Sequence, residues 1–138
     1  MFKIATSNIN GLASRTKVDM LKDFLRRQEI DILFLQEVVH STFDTLRSYK
    51  ACISVRTVGR GTPIMTRNEI TITDITRLPS GHGIVAEYRG IRLVNIYALS
   101  GTAKQQEREG FYNNELPYLL RASPSNMIVG GDFNCVLN

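Results

Sequence analysis

The chain has 138 residues, 43% hydrophobic and 22% charged, with a formal net charge of +4 and a sequence pI of about 9.3. That length fits one domain with a core of its own, and that composition excludes a disordered or low-complexity chain. No wholly apolar run exceeds Ile32 to Leu35, far short of the roughly 20 residues needed to span a bilayer, and Thr6, Ser7 and Asn8 interrupt any signal-like start.

Cys52 and Cys135 are the only cysteines, and they form no CxxC or Cys/His pattern. They support neither a disulfide framework nor a zinc site. Cys52, between apolar neighbours, is expected as a small core residue in a protein of a reducing compartment. The moderate basic excess favours polyanion partners, but it equally describes an ordinary basic surface.

Phe2 to Thr6 alternates apolar and polar residues and is expected to be a strand, with Phe2 and Ile4 on one face. The turn-rich cluster Ser7-Asn8-Ile9-Asn10-Gly11 closes it. Thr16, followed three residues later by Asp19, resembles a capping box. Val18, Leu21 and Leu25 then form one stripe, with Met20 and Phe24 beside it, while Lys22, Asp23, Arg26 and Arg27 take the other side. Lys17 to Gln28 is therefore expected to be an amphipathic helix. Ile30 to Leu35 is apolar on both faces, the pattern of a doubly covered strand, and it ends in Gln36 and Glu37.

A polar or short helical connection over Ser41 to Arg47 leads to an expected strand at Tyr49 to Val55. Gly59 to Pro63 is expected as a loop and Ile64 to Thr66 as resumed strand. Thr71 to Leu78 is rich in β-branched residues and predicts another strand, followed by a turn over Pro79 to Gly83. Ile84 to Tyr88 and Ile91 to Leu99 predict a hairpin across Arg89-Gly90. On its second strand Leu93, Asn95 and Tyr97 share one face. Gln105 to Asn114 predicts a helix anchored by Phe111 and Tyr112, and Pro117 predicts a kink or break before Tyr118 to Leu120. Met127 to Val129 is a short apolar strand that Gly130 and Gly131 end, leaving Asp132 and Asn134 on the loop beyond. Strands alternating with two helices, plus a central run of strands, predict a mixed α/β sandwich.

Three of these strands deliver polar side chains at their carboxyl ends: Asn8 and Asn10, then Glu37, then Asp132 and Asn134. Tyr97 comes towards the end of a fourth. In open α/β sheets, ligands bind just outside the carboxyl ends of strands. Set side by side, two carboxylates, three amides and a phenol suit a divalent cation held through few protein ligands. Mg²⁺ prefers oxygen donors and keeps several waters. On that reading Glu37 is the direct metal ligand, Asp132 orients or deprotonates the attacking water, and Asn134 holds the water or the phosphate. The metal and Tyr97 then stabilise charge on the phosphoryl oxygens. Each residue also has a plainer role open to it. Glu37 suits a solvated loop, Asn8, Asn10 and Asp132 are good turn formers, and Tyr97 can serve as a packing ring.

Asn8-Ile-Asn10-Gly-Leu, Asp31-Ile-Leu-Phe-Leu-Gln-Glu37, Val94-Asn-Ile-Tyr97 and Gly131-Asp132-Phe-Asn134 resemble, in order and spacing, successive motifs of the endonuclease/exonuclease/phosphatase family. That family includes DNase I and the apurinic/apyrimidinic endonucleases. The Arg-Leu-Val-Asn-Ile-Tyr-Ala wording and the Gly-Gly-Asp-Phe-Asn-Cys-Val-Leu ending are most similar to the endonuclease domain of LINE-type retrotransposons. The resemblance implies a four-layer α/β sandwich, two mixed sheets face to face with helices outside. It implies that Asn8 contacts the scissile phosphate or the metal shell and that Glu37 is the principal metal-binding residue. Asn10 stands near the metal where relatives often carry Asp. Tyr97 matches the phosphate-contacting tyrosine, and Asp132 with Asn134 match the pair that positions the nucleophilic water and the phosphate.

The implied cofactor is Mg²⁺, with Mn²⁺ as a substitute, and the implied partner is DNA. Strand nicking by in-line attack of water leaves a 3′-hydroxyl, which in a retroelement primes a reverse transcriptase carried by the full-length product. An intracellular site of action follows, nuclear for a retrotransposon enzyme. Within the family the alternative is a phosphatase or phospholipase-like hydrolase of small phosphoesters. Outside it, the alternative is a non-catalytic remnant or binding module. Relatives continue past Gly-Asp-Phe-Asn with more strands and a Ser-Asp-His motif. This chain has only His40 and His82, both expected as exposed loop residues outside any matching motif. Residues 1–138 are thus expected to be the N-terminal part of a single such domain, its second sheet incomplete, with weak or no nicking alone. Arg60, in Gly59-Arg60-Gly61, and Arg67 are further candidates for contacts that position a duplex by its phosphates, or simply solvated arginines.

Overall fold

Alternation along the strands sorts the apolar side chains into layers. A computed structural model describes residues 2–11, 14–39, 46–55, 60–78, 80–98, 101, 104–121 and 126–134. In the first sheet β1 (Ile4–Gly11), β2 (Ile32–Val39), β4 (Arg60–Arg67) and β3 (Tyr49–Val55) lie side by side in that order. The second sheet has the order β5 (Thr73–Arg77), β6 (Gly83–Tyr88), β7 (Ile91–Tyr97), β8 (Met127–Asp132). Both sheets are mixed: β1 runs parallel to β2 and β7 parallel to β8, while the other neighbours are antiparallel.

Three apolar layers hold four structural ones. On the outside of the first sheet, α1 (Arg15–Gln28) buries Val18, Leu21 and Leu25 against Leu33, Leu35, Val38 and Met65. Between the sheets, Ile32, Phe34 and Ile64 meet Ile84, Ala86 and Leu93. Outside the second sheet, Val85, Val94, Ile96 and Ala98 pack on Phe111 and Leu119 of the second helical stretch. Full burial of such a side chain contributes about 1.5–3 kcal/mol. Helix, sheet, sheet, helix is the four-layer sandwich that the resemblance implies.

Several boundaries differ from expectation, each for a physical reason. α1 is capped by Ser14, which has an extended backbone and whose Oγ accepts the Lys17 N–H at 3.1 Å. Thr16 is already inside the helix, so the Thr16/Asp19 box does not form. Met20 and Phe24 flank the buried stripe but stay outside it, 68% and 43% exposed. β1 runs on through Ser7 to Gly11, β2 through Glu37 to Val39, and β8 through both glycines to Asp132. Asn8, Asn10, Glu37 and Asp132 therefore stand on strands, not on the loops after them.

β4 begins at Arg60 and passes straight through Pro63. Proline fits inside a sheet only at an edge or an irregularity. Pro63 lies opposite the stretch between Phe34 and Val38, where the β2–β4 register is already broken. The Arg89-Gly90 hairpin is as predicted, with φ of 49° and 78° at the two turn residues, the positive pair of a type I′ turn.

Pro117 does not break its helix. α2 (Gln105–Gly110) leads into a π-helical turn, Phe111–Glu115, and then α3 (Leu116–Arg121), with right-handed helical angles at the junctions. The wide turn just before Pro117 takes up the irregularity, and the proline sits in the first turn of α3, where a missing N–H is tolerated. His82 is the clearest correction. It was expected on an exposed loop, yet it is fully buried and stacked on Phe111 with centroids 5.2 Å apart. Its Nδ1 donates to the Tyr97 carbonyl at 2.8 Å, which pins the turn beneath the helical stretch. His40, Cys135, the side chain of Cys52 and most of the Ser41 to Arg47 connection lie outside the described residues.

Candidate active site

The inner face of four strands is graded along its length. It runs Ile4, Thr6, Asn8 on β1; Ile32, Phe34, Gln36 on β2; Leu93, Asn95, Tyr97 on β7; and Gly130, Asp132 on β8. On each strand the polar residue follows the apolar or small one, so the layer between the sheets turns polar at one end. The carboxyl ends of the four strands meet there.

Three side-chain pairs bridge the sheets at that end. Asn8 Nδ2 donates to Asp132 Oδ2 at 2.8 Å. Gln36 Nε2 donates to Asn95 Oδ1 at 2.8 Å. The Tyr97 phenol donates to Glu37 Oε1. Within each side, Asn8 Oδ1 receives the Asn10 N–H at 3.0 Å, and Asp132 Oδ1 receives the Asn134 N–H at 3.0 Å. The Asn134 side-chain amide is turned to the Ala98 carbonyl. Tyr97 and Asp132 are register partners on adjacent strands, and Asn8 is the partner of Gln36, next to Glu37. Asn8, Asn10, Glu37, Tyr97, Asp132 and Asn134 thus form one rim.

The backbone at this rim is unusual. Asn10, Glu37 and Asn134 have φ of 45°, 56° and 45°. Asparagine tolerates this left-handed region, but glutamate rarely enters it, and such residues cluster where surrounding structure over-determines them. For Glu37 the cause is a bulge. Phe34 pairs with Ile64 and Val38 with Gly61, so β2 carries one residue more than β4 between those points. The bulge breaks the period of two: Leu33, Leu35 and then Val38 face α1.

The two glycines have separate jobs. A Cβ on Gly130 would come within 2.8 Å of the Phe34 ring, so its absence lets β8 approach the first sheet. Gly131 has φ of 142°, and a Cβ there would stand 2.0 Å from the Ile96 carbonyl oxygen. They shape a strand and do not end one.

A cleft of about 780 Å³ opens at the rim, lined by Thr6, Ser7, Asn8, Gln36, Asp132 and Asn134 among others. A larger hollow, about 950 Å³, lies at the far end of β2, between Lys22 and Arg26 of α1 and Tyr49 and Arg67. It holds none of the convergent set. Arg67 is there, its Nε bonded to the Ile30 carbonyl at 3.0 Å and 3.5 Å from Asp31, so the structure does not bring it to the rim. Arg60 starts β4 beside Val39, two residues past Glu37, and its side chain lies outside the described residues.

Every polar side chain named at the rim offers oxygen or a neutral amide, with no thiol or imidazole. This donor set fits a hard divalent cation. Among the described residues no three His, Cys, Asp or Glu side chains group into a cage. The donor set therefore fits an open site, one that water and substrate would largely complete, and not a closed protein cage.

Sequence reasoning missed Gln36 and Asn95, both almost fully buried. The signal was present: each is a polar residue at a core-facing position two residues after an apolar one.

Solved structures share this architecture. An AP endonuclease from Archaeoglobus fulgidus superposes with a TM-score of 0.78, at 24% identity over 97% of this chain and 58% of its own. The 3′ phosphatase NExo from Neisseria, bound to a product DNA hairpin, gives 0.77 at 20% identity, over 97% and 58%. Danio rerio (D. rerio) TDP2, complexed with a single-stranded DNA product, gives 0.75 at 20% identity, over 98% and 61%. The chain thus spans about three fifths of the length of these structures. No curated protein matches it. The family model for the Endonuclease/Exonuclease/phosphatase family matches residues 5–138, nearly the whole chain, and the chain belongs to that family.

Proposed function

We propose that this chain carries the catalytic rim of a divalent-metal-dependent phosphodiester hydrolase that nicks DNA. The observation that carries the reading is the pair of cross-sheet contacts, Asn8–Asp132 and Tyr97–Glu37, at one rim. A divalent cation such as Mg²⁺ or Mn²⁺ would supply Lewis acidity to the phosphoryl group, and Glu37, with Asn10 nearby, would hold it. Asp132 is oriented by the Asn8 amide and the Asn134 N–H. Each of its oxygens keeps a lone pair beyond those bonds, so the carboxylate can take a proton from the attacking water. The water oxygen bonds to phosphorus, the bond to the 3′-oxygen breaks, and that oxygen takes a proton from solvent. Tyr97 holds the Glu37 carboxylate, and contact with a phosphoryl oxygen requires the phenol to exchange that bond.

DNA as substrate is supported by relatives whose structures contain product DNA, and a net charge of +4 suits a polyanion. A LINE-type retrotransposon endonuclease is the biological setting we favour. It rests on the wording around Tyr97 and Asp132, and with it come a reverse transcriptase in the full-length product and a nuclear site of action. The resemblance to a 3′ phosphatase keeps phosphomonoester hydrolysis as the second reading.

Relaxation of supercoiled plasmid in Mg²⁺, run beside phosphate release from a 3′-phosphorylated oligonucleotide, separates the two. Loss of activity in Glu37→Gln and Asp132→Asn assigns the site. A chain that neither gains melting temperature with Mg²⁺ nor acts on either DNA sinks the proposal, since a ligand of the native state must stabilise it.

A further inference from the structure

We infer that Asn95 is a positioning residue, a clasp from the second sheet that holds the β2 bulge presenting Glu37, with Gln36 bracing it. Between β2 and β4 the bulge leaves Leu35 and Pro63 without register partners, though each is paired on its other side, with Ser7 and Ile53. Buried carbonyls without partners are costly. Asn95 reaches across from β7 and meets both, its Nδ2 donating to the Leu35 carbonyl at 2.8 Å and the Pro63 carbonyl at 2.7 Å. A carbonyl can only accept, so only this orientation of the amide satisfies the site.

Asn95 Oδ1 is then left to accept, and it does so from Gln36 Nε2 at 2.8 Å. Gln36 Nε2 lies 3.1 Å from Thr6 Oγ1 and 3.3 Å from the Phe34 carbonyl as well. Asn95 is 0% exposed and Gln36 1%, so both amides depend on these protein partners. Two amides thereby tie β1, β2 and β4 to β7 at the residue before Glu37. Two positions further along β7, Tyr97 holds the Glu37 carboxylate itself. One strand of the second sheet thus fixes both the backbone and the side chain of Glu37. An apolar pair at 36 and 95 would fill the space but leave the bulge unheld.

The consequence for a cation rests on the proposed metal-holding role of Glu37, whereas the clasp itself does not, and two readouts keep them apart. The first is the ¹³Cζ resonance of Tyr97 in metal-free protein labelled at tyrosine, assigned with Tyr97→Phe. The second is the dissociation constant for Mn²⁺ by electron paramagnetic resonance. In Asn95→Leu, of similar volume, the Tyr97 resonance is expected to move towards the position seen in Glu37→Ala, which removes the acceptor. The Mn²⁺ dissociation constant is expected to rise roughly 10- to 100-fold, the usual effect of losing a group that orients a ligand.

A lowered melting temperature with both readouts unchanged overturns the inference, because a purely structural amide would do just that. A moved Tyr97 resonance in a protein whose wild type binds no Mn²⁺ upholds the clasp and removes the metal reading. If Asn95→Leu fails to fold, Gln36→Met decides by the same resonance. It leaves the two carbonyl contacts of Asn95 in place and should shift Tyr97 less, in the same direction; no shift overturns the clasp.

Discussion

At one end of the layer between the sheets, Ile32, Phe34, Ile64, Ile84 and Leu93 meet as an apolar cluster. A few residues along the same strands, Asn8, Gln36, Asn95, Tyr97 and Asp132 meet through hydrogen bonds. The strands are shared, but the β2–β4 ladder is regular at the first end and bulged at the second, so the contrast lies in the side chains and in the backbone that carries them. The apolar end needs only volume and tolerates loose direction. The polar end needs direction, because each buried donor must find its acceptor. The first supplies stability, and the second draws on it to hold left-handed backbone at Asn10, Glu37 and Asn134.

The hardest blow to that division is Phe34→Ala at the apolar end. Phe34 is 1% exposed, and its truncation should cost about 3–5 kcal/mol in urea unfolding. A loss below about 1 kcal/mol would mean that this cluster is not what holds the sheets together. Gly131→Ala comes next. It places a side chain where φ is 142° and the Ile96 carbonyl is in the way, and strain alone there costs on the order of 1–3 kcal/mol. The melting temperature should fall and Asp132 should leave Asn8, seen as a changed Asn8 amide resonance.

Asp132→Asn sharpens the contrast from the other side. It should leave unfolding within about 1 kcal/mol of wild type while hydrolysis falls roughly 10²- to 10⁴-fold, the reach of a positioned acid or base. Comparable losses in both would erase the distinction between the two ends.

The smallest effect lies far from the rim. Burial pushes the Tyr49 phenol above its ordinary value, only partly opposed by Arg67, and its hydroxyl donates to the Ile30 carbonyl at 2.5 Å. A raised folded value means that the native state keeps its proton longer than the unfolded chain. That stabilisation is whole below about pH 10 and is lost as pH rises through the folded value. Tyr49→Phe should flatten the alkaline fall in melting temperature and leave the pH dependence of hydrolysis unchanged.

Much of this division is legible in residues. Val18, Leu21 and Leu25 give the outer layer, and the positions of Asn8, Glu37, Tyr97, Asp132 and Asn134 near strand ends give the rim. What escapes is whatever breaks period two. The bulge at Glu37, the proline at 63 and the paired glycines all resemble loop signals, and only pairing with a distant strand turns them into strand. The Ser14 cap was missed because Thr16 offers the same chemistry two residues later. His82 was misplaced because burial of a turn depends on a helix that follows it by more than twenty residues, Gln105–Gly110. Asn95 and Gln36 were hidden for a different reason: an amide between apolar neighbours has meaning only once its partner across the sheets is known.

The bond between Asn8 and Asp132 joins positions 124 apart in sequence. The β6–β7 hairpin, with a two-residue turn, can form within microseconds of collapse, whereas a contact of that separation must first meet the entropy of closing the loop. The rim is therefore expected to close after the hairpin. During synthesis from the N-terminus, Glu37 and Tyr97 emerge before Asp132, and the rim is incomplete in the nascent chain until β8 has docked beside β7.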